Sequence, residues 1–135
     1  MNRDAQNGLI LEKDAYYNIF NNMQEIMVIF EIIRDDDHMP VDMIIRDVNN
    51  AYLLNFNISR EKVINKRASQ IYGHNFVDYY FKLVKENSAV RKGEKFETYF
   101  SPLDKFYLTV LFPIGENLYV TLGMDITERK KIKLP

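Results

Sequence analysis

The sequence has no cysteine and no tryptophan, and only two histidines, four prolines and five glycines among its 135 residues. Without cysteine there are no disulfides, no thiolate-bound zinc or iron–sulfur cluster, no Cys nucleophile and no Cys-linked chromophore. A dominant charge is missing too: 18 Lys plus Arg stand against 19 Asp plus Glu. No overall field therefore draws the protein to nucleic acid or to anionic lipid, and neither is expected as a partner. Long apolar runs are also absent. The longest, such as Ile26 to Phe30, fall far short of the ~20 residues that span a bilayer. The start shows no signal-peptide core, so the expectation is a soluble, cytoplasmic protein without direct membrane insertion.

What is present suits one domain. The length and the 47% hydrophobic content are those of a chain with one core. Nine Phe and nine Tyr are enough to fill that core or to line an internal cavity. Residues 1–13 read as a polar lead-in, 14–126 as the domain, and 127–135 as the start of a helix leading out of it. Asp14 is a candidate cap for a first helix in which Tyr16, Ile19, Phe20 and Met23 share one apolar face. Ile26 to Ile33 and Val41 to Val48, separated by Asp35-Asp36-Asp37-His38-Met39-Pro40, predict an antiparallel hairpin.

Asn49 to Phe56 reads as a short helix opened by two good caps, and Ser59 with Glu61 begins another. The longest helix is predicted from Phe76 to Lys92, with Asn75 as cap, Gly93 just past its end, and Val77, Tyr80, Phe81, Val84 and Ser88 on its inner face. Three strands follow from Glu94 onward. Phe106, Leu108, Val110 and Phe112 alternate with Tyr107, Thr109 and Leu111, and Leu118, Val120, Leu122 and Met124 repeat the pattern in the last strand. The order implies an α+β fold: a five-stranded antiparallel sheet, a helical crossover between strands 2 and 3, and an N-terminal flanking helix.

Three motifs give this order a likeness. Val48-Asn49-Asn50-Ala51-Tyr52 is similar to a V-N-x-A-[FY] pattern, Ser59 to Lys66 to S-R-E-E-[VL]-I-G-K, and Asp125-Ile126-Thr127-Glu128-Arg129-Lys130-Lys131 to D-I-T-E-R-K. Together they resemble the PAS family of sensory domains. Asn57 and Asn65 stand where that family usually has Gly, and Asn is the non-Gly residue that best tolerates a left-handed backbone.

The resemblance implies a sensory input domain that binds a small molecule or partner. It would relay the signal through the D-I-T-E-R-K junction to a C-terminal effector such as a histidine kinase or diguanylate cyclase, often as a homodimer. A ligand-free dimerisation or docking module is the alternative. By the same resemblance Tyr52, Val77, Tyr80, Phe81, Phe96 and Leu108 lie on the elements that enclose the family's pocket, where plain core packing is the competing role. The hydroxyls of Tyr52 and Tyr80 make those two the better ligand contacts, because a buried hydroxyl needs a partner. Asp125, Thr127 and Arg129 are the expected output junction: Asp125 capping the exit helix, and Arg129 pairing with it four residues later.

The chemistry of other classes finds little footing. Haem-binding relatives use a His on the long helix, and His74 falls outside the predicted inner face, which argues against haem. The flavin-linking motif has a Cys where Lys66-Arg67-Ala68-Ser69-Gln70 stands, so covalent flavin is excluded. No nucleophile elbow and no metal-ligand spacing appear, so neither an enzyme nor a metal site is expected. The run Asp35-Asp36-Asp37 lacks the staggered oxygens of a calcium loop and reads as a solvated turn.

Overall fold

The computed structural model describes residues 12–132. The lead-in 1–13 therefore lies almost wholly outside the described residues. Helix α1 (Lys13–Asn22) is preceded by Glu12 at the cap position, two residues before the expected Asp14 cap, which lies inside the first turn. Of the four residues predicted to share its buried face, Phe20 is buried, while Tyr16 and Ile19 are exposed. Tyr16 instead stacks on Phe20, with ring centroids 6.0 Å apart.

Strands β1 (Ile26–Arg34) and β2 (Pro40–Val48) form the predicted hairpin. Its turn is closed by Asp35, whose Oδ1 accepts from the amides of Asp37 at 2.9 Å and Met39 at 3.0 Å, as Asp does in tight turns. Strands β3 (Phe96–Phe100), β4 (Lys105–Pro113) and β5 (Leu118–Asp125) complete an antiparallel sheet in the order β2-β1-β5-β4-β3. Val28, Phe30 and Ile32 of β1 turn into the core, each two residues from the next, as a pleated strand requires.

The crossover between β2 and β3 carries α2 (Asn50–Phe56), α3 (Ala68–Tyr72), α4 (His74–Glu86) and α5 (Ser88–Lys92). Asn49 caps α2 by accepting from the Tyr52 amide at 3.1 Å. Asn57 and Asn65 are both left-handed, with φ of 51° and 64°, as their side chains suggest. Past Asn65 the chain runs along the free edge of β2: the Asn65 amide donates to Ile45 O at 2.7 Å and the Ile45 amide to Lys66 O at 2.9 Å. This pairing covers an edge that would otherwise invite association.

The single long helix predicted over Phe76–Lys92 is in fact two. Helix α4 begins at His74, so Asn75 lies inside it and is not its cap. It stops at Glu86 because Asn87 leaves helical geometry and accepts from the amides of Ala89 at 2.8 Å and Val90 at 3.2 Å. An Asn side chain that competes with the backbone in this way ends one helix and starts the next. Gly93, at φ 68°, closes α5 as expected. The exit helix α6 (Thr127–Ile132) ends the described chain. Among the described residues no helix is long and apolar enough to cross a membrane.

Candidate functional site: an aromatic cavity tied to the exit helix

The helices of the crossover stand off from the middle of the sheet because the strand positions beneath them carry little side chain. Thr109 of β4 and Thr121 and Gly123 of β5 face them, and a Cβ built on Gly123 would meet nothing nearer than the Tyr107 ring at 3.8 Å. The result is a cavity of about 660 Å³ between sheet and helices, within the usual range for small-molecule sites. Its walls are aromatic. Phe100 of β3 stands edge-on to Phe56, Tyr72 and Phe76, with centroids 5.7, 6.0 and 6.1 Å away, and Tyr80 packs edge-on to Phe30 at 5.1 Å. The rim consists of exposed residues: Asn75 and Tyr79 on α4, and Tyr99 and Pro102 around the β3–β4 turn.

Polar groups reach this surface mainly as hydroxyls. Tyr52 and Tyr72 hydrogen-bond to each other. Burial pushes the Tyr52 phenol up to about 12, more than its bond to Tyr72 offsets, and burial raises Tyr72 as well. The Tyr80 hydroxyl pairs with Thr121 Oγ1 at 3.0 Å and Thr98 with Thr109 at 3.1 Å. Tyr107 accepts from Asn55 Nδ2 at 2.8 Å. Burial raises Tyr80 also, so all these groups are neutral near pH 7. Among the described residues no Asp, Glu, Lys, Arg or His lines the cavity.

Of the residues expected at the pocket, Tyr52, Tyr80 and Phe96 line this cavity. Val77 is buried but does not reach it. Phe81 faces away, toward a smaller hollow of about 390 Å³ near Ile32 and Tyr119. Leu108 does not line it either: Tyr107, Thr109 and Leu111 take the helix-facing side of β4, which leaves Leu108 on the opposite face. The alternation of β4 marked the two faces, Phe106, Leu108, Val110 and Phe112 on one and Tyr107, Thr109 and Leu111 on the other, but the face that carries Leu108 is the one turned away from the cavity. Tyr72, Phe76 and Phe100 were not singled out. Their only sequence signal is the density of aromatic residues between positions 52 and 100.

At the exit, Asp125 accepts from the Thr127 amide at 2.9 Å. Burial favours the protonated Asp125, but the bonds from Thr127 and the nearby Lys105 ammonium outweigh it and hold the carboxyl below its ordinary range. Thr127 is itself buried, and its Oγ1 accepts from the Phe106 amide at 2.9 Å, while the Ile126 amide donates to Phe106 O at 2.9 Å. Arg129 does not pair with Asp125. The helix starts at Thr127, so positions 125 and 129 do not share a helical face, and Lys105 of β4 takes the carboxylate instead at 3.6 Å. Arg129 is exposed, and the neighbouring Lys130 makes the tie from α6 to the sheet through Glu97 of β3 at 2.5 Å.

These contacts join into one path. Tyr107, on the cavity wall, is held by Asn55 of α2; Asn55 Oδ1 accepts from Lys105 Nζ at 3.1 Å; Lys105 reaches Asp125; and Asp125 holds the first amide of α6. His74 is exposed at the first residue of α4 and lies outside the cavity. Among the described residues no three His, Asp or Glu side chains come together as a metal site.

No protein-family model matches the sequence, and no curated protein matches it. Solved structures do resemble it. A domain of an HTR-like protein from Haloarcula marismortui superposes with a TM-score of 0.55 at 14% identity, over 78% of this chain and 100% of that domain. An RNA-binding light-oxygen-voltage receptor superposes at 0.58 with 12% identity over 92% of this chain, which spans only 36% of the receptor. The d2 variant of RsLOV gives 0.52 at 8% identity, over 86% of this chain and 69% of that one. At these identities the likeness concerns the fold. With its strand order β2-β1-β5-β4-β3 and its helical crossover over one face of the sheet, the chain is a PAS-fold domain.

Proposed function

We propose that this domain is the sensory input of a signalling protein, binding a small molecule in the aromatic cavity and passing its occupancy to whatever follows α6. The observation that supports this reading is the path from Tyr107 through Asn55, Lys105 and Asp125 to the Thr127 amide. A molecule that shifts the Tyr107 hydroxyl also shifts the partner that holds Lys105 near Asp125, and so the geometry at the start of the exit helix. Asp125 and Thr127 are the junction residues in this scheme. Arg129, exposed and next to Lys130, belongs to the surface offered to the following segment. The effector is a kinase or cyclase of the kind PAS inputs commonly serve, the parent protein works as a homodimer in the cytoplasm, and the domain has no catalysis of its own.

A second reading, a docking module, draws support from the outer sheet face. There Leu108, Val110 and Leu122 remain half-buried and Met124 is exposed, an apolar surface suited to a second copy. Mass spectrometry of what the purified chain releases on gentle denaturation separates the two. Sensing expects about one small molecule per chain, and slower or faster amide exchange at Thr127 once that molecule is stripped away. Lys105→Met should retain the molecule but lose the change at Thr127. A chain that releases nothing yet sediments as a dimer supports docking and refutes the sensing scheme.

A further inference from the structure

The cavity surface also restricts what can occupy it. Six of its hydroxyls come in pairs: Tyr52 with Tyr72, Tyr80 with Thr121, and Thr98 with Thr109. Each pair has two protons and makes one hydrogen bond between its members, so one O–H in every pair still has a proton to give. Among the described residues no carboxylate or carbonyl accepts those protons. A buried donor without an acceptor is unfavourable, so an occupant that supplies acceptor oxygens or ring nitrogens gains what the protein leaves unmade.

Charge points the same way. Among the described residues the walls contain no Lys, Arg or His, so a carboxylate or phosphate would lose its water without a partner, and no Asp or Glu, so a cation would too; a buried ion without a partner is strongly disfavoured. The walls themselves are flat rings, several of them edge-on to one another, which favours a planar aromatic body packed among them.

Resting on the reading that this cavity is the binding site, we infer that its ligand is an uncharged, planar aromatic molecule bearing hydrogen-bond acceptors, such as an aromatic ketone, and neither an organic acid nor a phosphate ester nor an amine. The test uses four probes on one ring system: 2-acetylnaphthalene, naphthalene, 2-naphthoate and 2-naphthyltrimethylammonium, titrated into the chain by calorimetry after removal of any co-purified molecule. The ketone should bind at one per chain, about tenfold or more tighter than naphthalene, as one gained hydrogen bond of about 1.4 kcal/mol corresponds to. The two ions should bind more weakly than either. Gly123→Leu, which places a side chain in the cavity without demanding a left-handed backbone, should abolish ketone binding in protein shown to be folded by circular dichroism.

Three double variants supply an independent measurement: Tyr52→Phe with Tyr72→Phe, Tyr80→Phe with Thr121→Val, and Thr98→Val with Thr109→Val. At least one should reduce the ketone's advantage over naphthalene to nothing. If a probe binds and Gly123→Leu blocks it, but 2-naphthoate or the ammonium binds as tightly as the ketone, the ligand class is wrong while the site stands. The class is equally wrong if no double variant erodes the preference. If no probe saturates the wild-type chain, or if Gly123→Leu leaves binding unchanged, the cavity is not the site and the inference falls with it.

Discussion

Asn49 is fully buried and makes three side-chain hydrogen bonds at the point where β2 becomes α2. Its Oδ1 accepts from the Met27 amide at 3.0 Å and from the Tyr52 amide at 3.1 Å, and its Nδ2 donates to Glu25 O at 2.8 Å. It thus ties the start of β1 to the helix that carries Tyr52 and Asn55. Asn49→Ala removes all three bonds. Loss of the cap costs about 1 kcal/mol, and leaving Met27 N–H and Glu25 C=O without partners costs about 1.5 kcal/mol each, so the expected loss is about 4 kcal/mol. For a domain of this length that corresponds to a fall of roughly 15 °C in Tm.

Asn49→Ser sharpens the test. Its hydroxyl can still cap the Tyr52 amide but is too short to span Met27 and Glu25, so it should recover about 1 kcal/mol of the loss and no more. Urea unfolding followed by circular dichroism measures both variants against wild type. The reasoning is refuted if Asn49→Ala costs less than about 1 kcal/mol, the value of a cap alone, or if Ser restores wild-type stability.

Two further outcomes concern stability. Asp42 is buried and accepts from Ser69 Oγ at 2.5 Å and the Met43 amide at 2.8 Å; burial pulls its carboxyl up, but these bonds and Arg67 outweigh it and hold it below the ordinary range. A depressed folded-state value means that the stabilisation is present above the unfolded value, near 3.9, and is lost as pH falls through the folded one. The gap between wild type and Asp42→Asn, about 2 kcal/mol at pH 7 for charge-assisted bonds, should therefore hold down to about pH 4 and close below it; a gap that is flat with pH in chemical denaturation argues against an ionised Asp42. At Asn57, φ is 51°, so Asn57→Ala should cost about 1 kcal/mol and Asn57→Gly a few tenths at most, and equal melting temperatures for the two would count against the left-handed turn.

Local chemistry was enough to read much of this molecule from its residues. The β-branched run from Ile26 and the Asp-rich turn that follows it specify a hairpin whatever lies around them, because propensity and turn geometry act within a few residues. Asn57, Asn65 and Gly93 announced left-handed positions for the same reason: the steric map of a single residue decides them. The order of elements followed, and with it the fold class. What the residues did not reveal depends on which groups meet across long separations. The alternation of β4 is symmetric, with apolar groups on both faces, so only packing of the crossover against the sheet decides that Thr109 faces the cavity and Leu108 does not. The break at Asn87 depends on its side chain competing successfully with the helix, a contest that helical spacing does not show. Arg129 was the nearest cation to Asp125 along the chain, yet the carboxylate went to Lys105, twenty residues away in sequence but brought alongside by the pairing of β4 with β5. The cavity itself has no local signature, since it is the space left where Gly123 and two threonines oppose a layer of rings, and volume exists only once the layers are stacked.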